Sequence, residues 1–298
     1  MKMVLVGFAA VALLPSAAAQ TVGIVTQVKG KVSLIAPAPA AGAAARPKAP
    51  ARAAMLADVL SEGGEISTGA DGSAAFLYCP RSAAVSMGPN SRVVFRGGQM
   101  ETSGSVTSTP VKYCFVPQAA VTEASAQQVG GTRMRAGGDG VRILSPGPRT
   151  RTLPIPVFAW TGVEGADAYA LAVETRDGRR LWNTKVRSTA VELPSEHALA
   201  PGESFRLRVM AIKGEEELAA ASLVFRVLPA EEAQVYSEKV KHFRLAAREQ
   251  PGDAAPHLQL ALIYEELRDV GAAILAYEEA LRFGRSEFIQ ARLDALRR

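Results

Sequence analysis

Histidines and aromatic residues are scarce in this chain of 298 residues. Aromatic side chains make up 6% of it, and the only histidines are His197, His242 and His257. None of the three lies at metal-ligand spacing from another histidine, a cysteine or a pair of carboxylates. The sequence also has no Gly-x-Ser-x-Gly elbow, P-loop or dinucleotide-binding fingerprint. These absences argue against an enzyme, and we expect neither a cofactor nor a metal.

Clustered positive charge is also missing, although the net charge is +5. The lysines and arginines are scattered among acids and turns, whereas a nucleic-acid interface gathers them on one face. The acidic runs 215–217 and 265–266 fall on a predicted turn and a predicted helix surface, which is typical of solvated charge. Nucleic acid is therefore not an expected partner.

Long apolar runs are absent after the N-terminus. Met1 and Lys2 precede an apolar run from Val4 to Leu14, and the small residues 17–19 follow. This pattern predicts a secretory signal peptide over residues 1–19, cleaved near Ala19–Gln20. The run is too short to span a bilayer, which takes about 20 residues. We expect a periplasmic or secreted protein with no integral membrane segment.

Only two cysteines are present, Cys79 and Cys114. In an exported protein, an even number of cysteines favours a disulfide, and two separate buried thiols are the alternative. Residues 111–116 alternate in polarity, so the predicted bridge joins two neighbouring strands. Because no histidine lies nearby in the sequence, a metal site is not expected here.

Residues 56–95 are short apolar runs divided by Gly, Pro, Asn and Asp, a pattern typical of a meander of β-strands. The segments Gly-Gly-Glu-Ile-Ser-Thr-Gly (63–69), Asp-Gly-Ser-Ala-Ala-Phe-Leu (71–77) and Ser-Met-Gly-Pro-Asn-Ser-Arg-Val (86–93) resemble the FecR domain, a periplasmic all-β module. Residues 23–34 match its opening hairpin and, more loosely, residues 129–135 its closing element.

The resemblance covers about residues 22–136 and implies a FecR-like β domain over residues 20–138. It also implies a role in envelope signalling. Regulators of that family carry an N-terminal cytoplasmic segment and a transmembrane helix, so with a signal peptide at residues 1–19 we do not expect direct anti-sigma action. Inside the domain, residues 36–54 are rich in Pro and Ala and predict a flexible loop. Contact of Arg46, Lys48 and Arg52 with the cell wall is the alternative for this loop.

Residues 141–229 contain alternating stretches separated by turn residues at sandwich-like spacing. The pattern Phe-x-Trp (158–160), Ala-x-Ala-Leu-Ala-Val (168–173) and Phe-x-Leu-x-Val (205–209) resembles fibronectin type III domains. Trp160, Tyr169 and Phe205 lie at strand positions whose side chains point to the same face as the apolar residues around them. This placement favours the core of a β-sandwich over a platform for stacking sugars.

After Pro229 the apolar period becomes helical. Residues 260–280 carry Leu-Ala-x-x-Tyr followed by Ala-x-x-x-Tyr-x-x-Ala, which resembles the tetratricopeptide repeat and implies helices over residues 231–298. Phe243 and Ala246 repeat the positions of Tyr277 and Ala280 after 34 residues. The predicted fold class is mainly β with an α-helical C-terminus.

Only about one and a half repeats fit into residues 231–298, whereas such arrays normally need three or more. The pattern therefore predicts uncovered apolar surface, which would meet the second β domain, a second copy of the chain or another protein, and we favour a partner or self-association. The predicted partner-binding residues are Leu260, Tyr264, Ile274 and Tyr277. The expected function is non-enzymatic binding or scaffolding in the cell envelope, through a protein partner or self-association, with cell-wall glycan as a further candidate ligand. The alternatives are FecR-type signalling and an enzyme with an unrecognised site.

Overall fold

The computed structural model describes residues 20–37, 50–117, 140–147 and 150–297. The predicted signal peptide, residues 38–49 of the Pro/Ala-rich segment and the predicted closing element at residues 129–135 lie outside these ranges. The described residues form two β units followed by four helices. The predicted fold class, mainly β with an α-helical C-terminus, is confirmed.

The first β unit consists of two five-stranded antiparallel sheets. One sheet has the strand order β10-β7-β6-β1-β4, and the other has the order β3-β2-β5-β8-β9. The strands are β1 (Thr21–Lys29), β2 (Val32–Ile35), β3 (Arg52–Ala53), β4 (Val59–Ser61), β5 (Glu65–Thr68), β6 (Ser73–Tyr78), β7 (Ala83–Met87), β8 (Arg92–Arg96), β9 (Gln99–Ser103) and β10 (Val106–Pro110).

Alternating apolar side chains from both sheets fill the core of the first unit. Phe95 of β8 packs edge-to-face on Phe76 of β6 at 5.7 Å and stacks on Tyr78 at 5.8 Å between ring centroids. All three side chains are buried. Aromatic pairs of this kind contribute about 0.5–1.5 kcal/mol each beyond the area that they bury.

The prediction of a flexible loop over residues 36–54 is wrong at its C-terminal end. Arg52 and Ala53 form β3, which pairs with Ser33 and Leu34 of β2, and Ala54 is buried. The Arg52 guanidinium donates two hydrogen bonds of 2.7 Å to the Asp58 carboxylate. Arg52 is therefore held by the domain itself, which argues against its predicted role in wall contact.

The second β unit packs a three-stranded sheet, with order β11-β13-β16, against a five-stranded sheet, with order β12-β18-β17-β14-β15. This is a fibronectin type III-like sandwich. Its strands are β11 (Ile143–Ser145), β12 (Arg151–Thr152), β13 (Val157–Trp160), β14 (Ala168–Thr175), β15 (Arg180–Val186), β16 (Ala190–Glu192), β17 (Ser204–Lys213) and β18 (Glu216–Val227). Glu216 and Glu217 begin β18 and do not lie on a turn as predicted.

The three aromatic residues that the sequence assigns to the core of the second unit are buried, as predicted. Trp160, Tyr169 and Phe205 are 2–4% exposed. The indole of Trp160 packs edge-to-face on Tyr169 at 5.4 Å between ring centroids, and the Tyr169 hydroxyl accepts a 2.9 Å hydrogen bond from the Val163 backbone N–H. No face of these rings is free to stack on a sugar.

Four helices follow directly: α1 (Ala230–Glu249), α2 (Ala255–Glu266), α3 (Val270–Leu281) and α4 (Glu287–Leu296). Asp269 and Ser286 cap α3 and α4, because each side chain accepts a backbone N–H of the first turn. Pro251 and Gly252 separate α1 from α2, as the sequence predicts. Within the described part of the chain, no helix is both long enough and apolar enough to cross a membrane.

The helices share one apolar core with both β units. This core contains Ile24 and Leu77 of the first unit, Leu153 and Leu228 of the second, and the inward faces of all four helices. Helix α2 contacts β1, and α3 contacts β11 and β13. The three parts of the chain are thereby packed into one body.

Candidate interaction surfaces

The predicted partner-binding residues lie mostly inside the molecule. Leu260, Tyr264 and Tyr277 are 7%, 6% and 0% exposed, and Ile274 is half-buried against the shared core. The prediction of an exposed apolar surface at these four residues is wrong. The short array is covered because the two β units lie beside it and bury the surface that further repeats would otherwise cover.

Cys79 and Cys114 form the predicted disulfide, with their Cα atoms 5.3 Å apart. The segment around Cys114 is not the predicted strand. Residues 111–117 have no regular secondary structure and form a strap that runs from β10 onto the helices. Cys79 lies in a short 3-10 turn after β6, so the bridge fastens this strap to the first unit.

The strap carries two aromatic rings onto α1. Tyr113 packs on His242 at 5.4 Å and on Phe243 at 6.2 Å, and Phe115 packs on Phe243 at 6.2 Å between ring centroids. The Lys239 ammonium lies 5.0 Å from the centre of the Phe115 ring, within the range of a cation–π interaction.

Gln259 of α2 holds the strap by its backbone. Its amide oxygen accepts a 2.7 Å hydrogen bond from the Phe115 N–H, and its amide nitrogen donates one of 2.9 Å to the Phe115 carbonyl. Gln259 is fully buried. Since a buried backbone group without a partner costs about 1–3 kcal/mol, this pair of bonds fixes the strap to one place on the helix.

Asp269, at the start of α3, lies at the junction with the second unit. Its carboxylate is 2.6 Å from the Ser145 hydroxyl and 3.4 Å from the Thr152 hydroxyl. Burial raises its pKa to about 6, although the hydrogen bonds from Ser145, Ala272 and Thr152 lower it. A Cβ on Gly271 would lie 2.6 Å from the Leu144 carbonyl carbon and from Ser145 Cβ, so glycine is needed for this close approach.

Two arginines add polar links among the helices and the second unit. Arg244 of α1 pairs with Glu192 of β16 and donates a 2.8 Å hydrogen bond to the Tyr264 hydroxyl. Arg292 of α4 pairs with Glu265 of α2 at 2.7 Å, with both side chains largely buried. Breaking such a pair leaves an uncompensated charge, so each arginine restricts how the helices can pack.

The three histidines lie on three different elements. His242 packs on the strap, His257 of α2 stacks on Phe283, and His197 ends a short 3-10 turn. Burial lowers the pKa of His257. In the described ranges, no three His, Cys, Asp or Glu side chains are grouped to hold a metal ion.

One small cavity lies between the sheets of the first unit, beside Pro37, Arg52, Glu65 and Phe95. Its volume is about 110 Å³, whereas ligand pockets measure roughly 300–1,000 Å³. Arg92 forms two 2.7 Å hydrogen bonds with the Glu65 carboxylate. We therefore assign Glu65 a structural role in this unit.

The outer edge of β10 has no neighbouring strand among the residues that the structure describes. β10 is the end strand of its sheet and pairs with β7 alone among the described strands. The Gly88 N–H donates to the Ser105 carbonyl, and the Val111 N–H donates to the Ser82 carbonyl, one at each end of the β10–β7 ladder. Along an antiparallel ladder every second residue is bonded to the neighbouring strand, and the residues between them are not. Val106 and Ser108 therefore direct their backbone N–H and C=O groups away from β7, where no described strand pairs with them.

The side chains of β10 do little to protect this edge. Thr107, Ser108 and Thr109 are exposed and uncharged, whereas edge strands are commonly protected by charged residues, bulges or proline. Pro110 protects only the end of the strand. Alternation of polarity in the sequence does not predict that β10 is an end strand, because the order of strands in a sheet depends on pairing between distant residues.

Comparisons with known proteins give likeness of fold only. No protein-family model matches the chain, and no curated protein matches it. Among solved structures, it is similar to the fibronectin type III domain of the human collagen alpha-1(XX) chain, at 22% identity over 32% of this chain and 94% of that one, with a TM-score of 0.23. It is also similar to a segment of two fibronectin type III domains from chicken tenascin, at 12% identity over 70% of this chain and 95% of that one, with a TM-score of 0.23. These values are too low to indicate a ligand.

Proposed function

We propose that this chain is a non-enzymatic binding and scaffolding protein of the cell envelope, and that it binds an extended segment of a protein partner at β10. The outer edge of β10, which no described strand pairs with, carries this proposal. An added strand would use the outward backbone groups of Val106 and Ser108 as main-chain hydrogen-bond partners. Recognition by strand addition gives affinity from the backbone and specificity from alternate side chains.

The packing of the chain supports a scaffold. Because the core around Leu77, Leu228 and Leu260 is continuous, β10 is held in a fixed position relative to the second unit and the helices. A partner bound at β10 would therefore be presented at a fixed distance from every other surface of the molecule. A rigid platform also lowers the entropic cost of binding.

The envelope setting is supported by sequence and chemistry together. The disulfide is the kind of bond that persists in oxidising compartments. The predicted signal peptide would deliver the chain to such a compartment, and the resemblance of residues 22–136 to the FecR domain agrees with a periplasmic location. The helices at residues 231–298 keep their resemblance to tetratricopeptide repeats, but in this proposal they act as an internal support for both β units.

A single backbone change tests the β10 edge. Ser108→Pro removes the outward N–H of β10 and leaves the ladder to β7 intact, since Ser108 is not bonded to β7. Ser108→Ala keeps the N–H and is the matched control. Each variant, starting at Gln20, is used to capture partners from an envelope extract, with mass spectrometry and a parallel urea unfolding curve.

We expect wild type and Ser108→Ala to capture the same partner, and Ser108→Pro to lose it at unchanged stability. Full capture by a stably folded Ser108→Pro would overturn the assignment of the binding edge. Cross-linking from a photoreactive residue at position 107 then identifies the bound segment, which should be extended.

A further inference from the structure

Strand pairing gathers cations on the outer face of the five-stranded sheet in the second unit. Side chains that are neighbours across this face form three rows, fixed by the register of β15, β14, β17 and β18. The rows are Lys185–Ala170–Met210–Ala220, Asn183–Ala172–Arg208–Ser222 and Arg180–Glu174–Arg206–Val224. Beyond the third row, Arg226 of β18 lies beside Arg151 of β12.

Most of these cations have no acidic partner. Lys185, Arg206 and Arg208 are exposed, and within the described ranges no salt bridge joins them to a carboxylate. The one acid of the three rows is Glu174, whose carboxylate is 3.7 Å from the Arg180 guanidinium. The face therefore carries several unneutralised positive charges.

The face is shallow and has no aromatic ring. Ala170, Ala172, Ala220 and Ser222 form a floor of short side chains between the cations. Val224 is 49% exposed on the same face. Helix α3 packs on β11 and β13 of the opposite sheet, and α1 meets the five-stranded sheet at β12, where Glu232 pairs with Arg151 at 3.4 Å.

We propose that this face docks on an anionic lipid surface. A broad sheet with a low floor can bring all its cations to a plane of phosphate headgroups at once, and each basic residue adds to the attraction. The exposed side chain of Val224 would lie at the headgroup boundary. A glycan chain would be expected to use a groove or an aromatic platform, and the three rows provide neither.

This docking face is separate from β10 and goes beyond the protein partner proposed above. Either assignment can fail without the other, since Ser108→Pro changes only β10 and the variants below change only surface charge. Together the two surfaces would place a captured protein segment beside a membrane. The face needs no membrane-spanning segment.

The test is co-sedimentation of the chain from Gln20 with vesicles of phosphatidylcholine alone or mixed with phosphatidylglycerol. The variant K185Q/R206Q/R208Q removes three charges from the face. The matched control K29Q/K31Q/R81Q removes three exposed charges from the first unit. Thermal unfolding by circular dichroism verifies that both variants are folded.

We expect wild type and the control to bind the mixed vesicles and not the neutral ones, and salt to weaken binding. The partition coefficient of the variant K185Q/R206Q/R208Q onto the mixed vesicles should be on the order of a hundredfold lower than that of the wild type. Equal binding by the two variants would overturn the proposal, as would the absence of binding by the wild type. A soluble anionic polysaccharide such as alginate can be added as a competitor. If the protein binds it as strongly as it binds the mixed vesicles, the face is assigned to a glycan instead.

Discussion

At the scale of single residues, the oxygen atoms around Asp269 offer a hydrogen-bond partner for a proton on its carboxyl group. Ser145 Oγ lies 2.6 Å from both the Val157 carbonyl oxygen and the Asp269 carboxylate. A hydroxyl has one proton, so Ser145 can donate to only one of these acceptors. When Asp269 is protonated, it donates to Ser145 Oγ, and Ser145 donates to Val157. Burial favours this neutral acid, because it penalises the charged carboxylate more than the hydrogen bonds to the carboxylate stabilise it.

The first prediction concerns pH. The pKa of Asp269 is raised from 3.8 to about 6 in the folded chain. The unfolded chain therefore releases this proton at lower pH than the folded one, and stability falls as pH rises from about 4 to about 6. The expected loss is about 3 kcal/mol above that window. Asp269→Asn, which cannot ionise, should not show this loss.

Urea unfolding curves across this pH range give the measurement. The difference in unfolding free energy between wild type and Asp269→Asn should change with pH by the predicted amount. Asp294→Asn, at an exposed carboxylate of α4, is the control and should follow wild type. A constant difference between wild type and Asp269→Asn would show that Asp269 titrates normally.

At the scale of elements, the strap of residues 111–117 differs most from its prediction. Polarity alternates along it, which favours a strand, yet its backbone is held by Gln259 and its rings lie on Phe243. The alternation arises because one side of the strap packs on α1 and α2. A helix surface can produce the same alternation as a sheet neighbour, and the sequence does not distinguish them.

The second prediction concerns the disulfide that fastens this strap. Replacing Cys79 and Cys114 by alanine removes a cross-link over 35 residues. The chain-entropy estimate gives a loss of about 3–4 kcal/mol. Hydrogen exchange should also quicken at the Phe115 N–H. Denaturant unfolding and exchange mass spectrometry measure the two effects.

Ser82→Ala is the control for this experiment, because Ser82 is exposed and ends the short 3-10 turn that contains Cys79. Free-thiol titration of denatured, unreduced wild-type protein should give none. Two titratable thiols would contradict the bridge.

At the scale of the whole molecule, the helices cover apolar side chains of both β units. Ile24, Leu77, Leu153 and Leu228 all pack in the cluster that contains the helices. The third prediction is that a chain ending at Pro229 exposes these side chains and self-associates. Light scattering should show a larger mass per particle, and the unfolding midpoint should fall.

A double change at exposed apolar positions of α1 provides the control. Val235 and Leu245 are 50% and 51% exposed, so Val235→Ser with Leu245→Ser should leave mass and midpoint close to wild type. If the truncated chain keeps the wild-type midpoint and mass, the helices do not share a core with the β units.

The sequence alone determined most of the elements, because local periodicity and turn chemistry act over a few residues. Residues 260–280 predict α2 and α3 by their helical period, and Trp160 and Phe205 are assigned to the core by their parity. The disulfide was favoured over two buried thiols because the chain has an even number of cysteines and a predicted signal peptide. Strand order, open edges and the packing of units depend on contacts between distant residues, which periodicity does not encode.

Tertiary structure therefore decided what the surfaces are. It buried Tyr277, which the short repeat array had suggested as a partner contact, because α4 packs on it and places the Phe288 ring 6.5 Å from the Tyr277 ring between centroids. It also brought Lys185 of β15 onto the face that Arg206 and Arg208 share on β17. The period of two along a strand places the two arginines on one face, but only the pairing of β15, β14 and β17 adds the lysine to them.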